Sequence, residues 1–149
     1  MINQINTLVF DIGKTNIKAI LFNSKGKIIN ETIQNHKFTS KLNTLHIIQV
    51  EKIFELVIKF IKNISNNFTI DKIIFTSHAS ASVININENK NIILPVIDYE
   101  NKFDKKFENK YFKYQKCTFA ETLTPKLSRG LVLSKTIYYY IHKMKAKFA

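Results

Sequence analysis

The chain has 149 residues, 45% hydrophobic and 23% charged, which suits one globular domain and excludes a disordered or fibrous chain. A single cysteine, Cys117, excludes an intramolecular disulfide framework and a cysteine-rich zinc site, and fits a reducing compartment. The formal net charge is +12, but Ile, Asn and Lys number 24, 16 and 22, the signature of A/T-rich codons, so compositional bias competes with a functional basic surface as its source. Arg129 is the lone arginine, which makes a nucleic-acid partner unexpected. The charge is uneven: residues 1–100 carry a net +3 and residues 101–149 a net +9. The longest apolar stretches are four or five residues, and Met1-Ile2-Asn3-Gln4 has no basic leader before an apolar block. The expectation is a cytoplasmic protein with no signal peptide and no membrane partner.

In chain order, Thr7 to Gly13 reads as a buried strand that ends in a carboxylate and a glycine. Asn16 to Asn23 alternates through Ile17, Ala19 and Leu21. Ser24-Lys25-Gly26-Lys27 is a turn in which Gly26 can take a positive φ. Lys27 to Ile33 alternates again, so the first three strands form an antiparallel meander. Residues 44–64 predict a helix with Ile47, Val50, Phe54, Val57, Ile61 and Ile64 on its apolar face, Thr44 or Asn43 as N-cap, and Asn66-Asn67 as its end. Asp71 to Ser77 predicts a strand with Ile73, Ile74 and Phe75 buried. Ser82 to Ile86 and Asn91 to Ile97 predict two more strands around a turn at 87–90. Lys102 to Lys116 reads as a loop or short helix. Ser128 to Lys147 reads as a helix with Leu131, Tyr138, Ile141 and Lys145 along one face. The order of elements predicts an α/β domain of the ribonuclease H type.

Chemistry concentrates at Asp11-Ile12-Gly13-Lys14-Thr15-Asn16-Ile17-Lys18. A carboxylate at a strand end can hold hydrated Mg²⁺, and Gly13 allows the backbone to approach a ligand closely. Turn amides can form an anion-binding nest, and Thr15, Asn16, Lys14 and Lys18 add polar and positive groups. The same residues also suit an ordinary β-turn that Asp11 caps and Gly13 permits.

The stretch Val9 to Ala19 resembles the first phosphate-binding motif of the sugar kinase/Hsp70/actin superfamily, in particular the opening of the FGGY carbohydrate kinases. A second stretch, Thr76-Ser77-His78-Ala79-Ser80-Ala81 with Leu94-Pro95-Val96-Ile97-Asp98-Tyr99-Glu100, is similar to that family's sugar-side segment, with a rhamnulokinase-like flavour. The resemblance covers most of residues 5–100 and continues thinly through Pro125 to Tyr140. It implies an actin-like ATPase domain and transfer of the ATP γ-phosphoryl group to a sugar hydroxyl, with ATP and Mg²⁺ as cofactors. Asp11 would hold Mg²⁺ through water. The turn of Gly13, Lys14, Thr15 and Asn16, with Lys18, would meet the phosphates. His78, Asp98 and Glu100 would contact sugar hydroxyls, with Tyr99 as a wall.

Each residue also has a plainer reading: His78 as a satisfied structural histidine, Asp98 and Glu100 as solvated loop charges. Ala79-Ser80 stands where the family commonly has Gly-Ala, and Gly130 is the single glycine after Gly26. The resemblance therefore implies that residues 1–149 correspond to the front portion of a kinase. The catalytic aspartate and adenosine pocket are then expected elsewhere, in a C-terminal kinase domain that could be a separate chain. The basic, aromatic segment with Tyr138, Tyr139, Tyr140, Lys143, Lys145 and Lys147 would pack on further chain or form an amphipathic surface helix. Two other functions compete. One is a small Mg²⁺-dependent nuclease, Holliday-junction resolvase-like, that would use Asp11 with Asp71, Asp98 and Glu100. The other is a non-catalytic interaction module.

Overall fold

A computed structural model describes residues 5–78, 94–114, 118–123 and 133–145. The chain packs as two compact units, residues 1–38 with 49–79, and residues 39–48 with 80–149.

In the first unit, β1 (Thr7–Ile12), β2 (Asn16–Phe22), β3 (Ile28–Asn35) and β6 (Lys72–Ser77) form a sheet in the order β3-β2-β1-β6. The first three strands are the expected antiparallel meander, and β6 pairs parallel with β1. Gly26 closes the β2–β3 turn at φ 73°. Alternation puts Leu8 and Phe10 of β1 and Ile17, Ala19 and Leu21 of β2 on one face, all fully buried. Helix α1 (Val50–Ser65) covers that face through Leu56, Val57, Phe60 and Ile64. The rings of Phe10 and Phe60 stack at 6.4 Å, and those of Phe10 and Phe75 at 5.3 Å. Burial of such a set is the main stabilising term, about 1.5–3 kcal/mol per large side chain.

Three expectations for this unit are corrected. The helix starts at Val50, not at 44, because Leu45–Ile48 is a strand, and its N-cap is Gln49 with no side-chain cap. Asn43 sits at φ 55° in a hairpin turn, and does not cap a helix. The apolar face is rotated from the expected one: Ile53, Leu56, Val57, Phe60, Ile61 and Ile64 face the core, and Phe54 is 64% exposed. Ile73, Ile74 and Phe75 are exposed rather than buried, because β6 is an edge of the sheet among the described residues.

The second unit holds a three-stranded antiparallel sheet, β4 (Thr39–Leu42), β5 (Leu45–Ile48) and β7 (Val96–Ile97), in that order. Leu45, Ile97 and Tyr140 form a buried cluster, with Leu94, Phe103 and Tyr139 packed on it. The Tyr140 hydroxyl donates to the Pro95 carbonyl, and burial pushes its pKa up to about 12. The 102–116 stretch contains helix α2 (Lys105–Tyr114), and Phe119–Thr122 is a single turn, α3, capped by Thr118.

Helix α4 (Leu133–His142) is shorter than expected. It buries Lys135, Thr136 and Tyr140, whereas Ile141 is exposed and Lys145 lies beyond its end. The Lys135 ammonium lies 3.3 Å from Glu108, and Tyr111 shares a 2.7 Å hydrogen bond with Ser134. These contacts join α4 to α2. The strand expected at 82–86, the start of the one at 91–97, Leu131 and Lys147 lie outside the described residues. No helix among the described residues is long and apolar enough to cross a membrane.

Candidate functional site

The Asp11 segment is a tight β1–β2 turn in the first unit. Ile12 pairs with Ile17 as the last rung, and the Gly13 amide donates to the Asn16 carbonyl at 2.9 Å. A Cβ on Gly13 would stand 2.9 Å from that carbonyl oxygen and 3.4 Å from Asn16 Oδ1. The glycine is therefore required by close backbone approach, not by a left-handed conformation. Asp11 pairs with Lys18, on the sheet face opposite α1, and Lys18 Nζ lies 4.0 Å from Asp11 Oδ2. Both side chains are partly exposed, so this contact contributes little to stability and leaves the carboxylate accessible.

Two histidines brace the turn. His36 follows β3 and is buried. Its amide donates to the Thr15 carbonyl at 2.8 Å, and its Nε2 lies 3.1 Å from the Gly13 carbonyl. The Phe38 amide donates to His36 Nδ1 at 3.3 Å, so the neutral ring carries its proton on Nε2 and donates it to Gly13. Phe38 stacks on the imidazole at 4.6 Å. His78 follows β6, and its amide and Nδ1 lie 3.4 and 3.3 Å from the Ile12 carbonyl. A carbonyl only accepts, so Nδ1 is the donor.

Parallel pairing of β1 with β6 places Asp11 beside Thr76 and Ile12 beside Ser77. The structure thus brings together Asp11, Gly13, Lys14, Thr15, Asn16, Lys18 and His78 at the carboxyl ends of two parallel strands, the usual ligand edge of such sheets. Asp71 is not among them. It precedes β6 at the other end of the sheet, about 16 Å from Asp11 at strand rise, where its Oδ2 accepts from the Asn6 amide.

Asp98, Tyr99 and Glu100 belong to the second unit. Asp98 is 2% exposed, not a solvated loop charge, while Glu100 is exposed. Asp98 Oδ1 accepts from the Glu100 amide at 2.9 Å, and the Asp98 amide donates to the His46 carbonyl at 3.0 Å. Asn101 locks this turn: its Oδ1 accepts from the His46 amide, and its Nδ2 donates to the His46 and Asp98 carbonyls. Tyr99 is half-buried beside them.

His36 and Asn101 are the residues that sequence reasoning missed. Both act on partners 23 and 55 residues away, which leaves no local signal. No group of three or more His, Cys, Asp or Glu side chains among the described residues could hold a metal ion. The described residues therefore build no all-protein metal cage. The accessible Asp11 carboxylate is the kind of single oxygen donor that suits a hydrated divalent cation.

The chain is similar in fold to solved sugar kinases. A carbohydrate kinase from Novosphingobium aromaticivorans matches with a TM-score of 0.79 at 17% identity, over 90% of this chain and 28% of that one. Gluconate kinase from Lactobacillus acidophilus matches with a TM-score of 0.73 at 14% identity, over 96% and 29%. Plasmodium falciparum glycerol kinase with ADP matches with a TM-score of 0.63 at 13% identity, over 94% and 29%. The chain thus spans less than a third of the length of these structures. No curated protein matches it. The sequence profile of the N-terminal domain of the FGGY family of carbohydrate kinases matches residues 6–109, well over half the chain, and the turn at Asp11 lies inside that match. The chain belongs to the FGGY carbohydrate kinase family, as an N-terminal portion with the actin-like ATPase fold.

Proposed function

We propose that residues 1–149 supply the phosphate-side turn of an ATP-dependent carbohydrate kinase that transfers the γ-phosphoryl group to a sugar hydroxyl. The observation that carries this reading is the braced Gly13 turn beside an accessible Asp11 at the carboxyl ends of β1 and β6. In such a transfer the protein positions the reactants and stabilises charge. Gly13 to Asn16 present backbone and polar groups to the phosphates, and Lys14 and Lys18 offset their charge. Asp11 would hold Mg²⁺ through water, where the ion would supply positive charge against the phosphates. His78 fixes the Ile12 carbonyl, and the Asp98–Glu100 turn with Tyr99 contacts the sugar. ADP in the Plasmodium glycerol kinase supports the nucleotide part of this reading.

Further chain completes the site. Three apolar residues of β6 are exposed, as expected of a parallel strand made to be covered on both faces. A second kinase domain, in the same or a separate polypeptide, is the covering body, and turnover depends on it. The nuclease reading is weaker, because Asp71 lies at the wrong end of the sheet and no acidic cluster stands among the described residues.

The test is a coupled ADP-release assay with a panel of sugars, on the 149-residue chain alone and mixed with the remaining two thirds of a related kinase. The expected result is no sugar-dependent turnover alone, and turnover on complementation that Asp11→Asn abolishes. Sugar-dependent turnover by the chain alone would overturn the need for a second domain. Mg²⁺-dependent cleavage of branched DNA, lost in Asp11→Asn, would overturn the kinase reading.

A further inference from the structure

A cavity of about 710 Å³ lies between α2 and α4 in the second unit, within the size range of small-molecule sites. Neither the Asp11 turn nor the Asp98–Asn101 turn lines it. Its wall is aromatic: Phe107 and Tyr114 from α2, and Tyr138 from α4. The Tyr138 ring lies 5.4 Å from Phe107 and 5.6 Å from Tyr114, and His142 lies 4.1 Å from Tyr138. Phe107 and Tyr111, earlier on the same α2 face, are buried, but Tyr114 is 69% exposed. Its ring stacks on His142 at 6.4 Å and lines the cavity with the surface that remains.

The rim is cationic. Lys106, Lys110 and Lys113 recur at four- and three-residue steps, so they form one stripe along α2, and Lys143 follows α4. No ion pair recorded among the described residues involves these four lysines. Asp104 is the one acid among the described lining residues, and its Oδ1 already accepts from the Phe107 amide as the cap of α2. Four ammonium groups around one concavity repel each other, and an anion relieves that repulsion.

An anionic rim ligand with a flat ring fits both halves of this cavity. We propose that it is a binding site for a nucleoside phosphate. The base stacks on Tyr114 and Tyr138, and the phosphate lies among Lys110, Lys113 and Lys143. The rings cluster at one point, which suits a single base. A single-stranded nucleic-acid track instead spreads its stacking platforms along a groove. The site is independent of the phosphoryl-transfer reading, since it uses neither Asp11 nor Mg²⁺.

The test titrates AMP into the full 149-residue chain in EDTA at low ionic strength, with binding read by calorimetry. Saturable one-to-one binding is expected, with a Kd below about 1 mM that weakens as salt is added. Tyr114→Ala and Lys110→Gln should each weaken it by about tenfold, while Tyr114→Phe and Asp11→Asn retain it. Both replaced side chains are exposed, and far-UV circular dichroism checks that the fold is kept. Absence of saturation would overturn the proposal, as would unchanged affinity in Tyr114→Ala. Inorganic phosphate binding as tightly as AMP would show a charge site without ring recognition and would also overturn it. So would binding of oligoadenylate in the absence of AMP binding, which would assign the face to nucleic acid.

Discussion

Gly13→Ala tests the turn at its tightest point. The new methyl would meet the Asn16 carbonyl oxygen at 2.9 Å, a backbone atom that cannot rotate away. Relief requires opening the hydrogen bond from the Gly13 amide to that same oxygen, and shifts the carbonyl that accepts from His36. Two hydrogen bonds at about 1 kcal/mol each set the scale of the loss. Lower chain entropy in the unfolded state returns about 0.4–1 kcal/mol. The net cost is therefore about 1–2 kcal/mol, read as a lower urea midpoint with an unchanged slope, together with faster amide exchange at residues 13 and 36. Gly26→Ala is the control with the opposite physics. It has no atom within 4 Å, but φ is 73°, so its cost is left-handed strain of about 1–2 kcal/mol, much of which Gly26→Asn recovers. Full stability and full amide protection in Gly13→Ala would refute the close-approach argument, and with it the reason for a glycine at this turn.

His36→Ala removes the Nε2–H donor to Gly13 and should destabilise the first unit by about 1–2 kcal/mol, with amide exchange faster at the turn than at β3. Tyr140 carries an alkaline prediction. Burial raises its pKa to about 12, against a weaker opposing backbone hydrogen bond at Ile97. The folded chain keeps a proton that the unfolded chain releases near pH 10. The resulting stabilisation is complete below pH 10 and is lost as pH climbs to about 12, a difference on the order of 2–3 kcal/mol. Tyr140→Phe should flatten that alkaline limb in denaturation curves, and an unchanged limb would refute the assignment. Lys135→Met leaves Glu108 without its buried cation and should cost about 2–4 kcal/mol, whereas Lys135→Met with Glu108→Leu should recover most of it, as a double-mutant cycle will show.

The parts of the fold legible in the sequence are those fixed by local rules. Alternation through Leu8, Phe10, Ile17, Ala19 and Leu21 marks β1 and β2, and Gly26 marks their exit turn. The β4–β5 hairpin was hidden because Ile47 stands three residues before Val50 and extends a helical period into a strand. Asn43 suits both an N-cap and a left-handed hairpin position, and tertiary pairing of β5 with β7 decided for the second. On α4, the burial of Lys135 inverts the expected face, since its charge is met by Glu108 from another helix. At the candidate site, the Asp11 segment announces itself by composition. Its bracing by His36 and the burial of Asp98 arise from contacts across long chain separations, which no local pattern records.

Strand β6 offers the sharpest separation between what this chain needs alone and what a completed kinase would need. Ile74 pairs with Val9 on the face opposite α1 and is 51% exposed. Ile74→Lys therefore gives up only about half of an isoleucine's burial, about 1 kcal/mol, and its ammonium stays in water. If a second kinase body covers this edge, the same lysine is forced into an apolar contact, at a cost of several kcal/mol. The variant should fold with a nearly unchanged urea midpoint, yet lose sugar-dependent turnover on complementation by at least about a hundredfold. Unchanged complementation with Ile74→Lys would mean that this face stays in water in the assembled enzyme. The exposed apolar run of β6 would then be no sign of a covering domain.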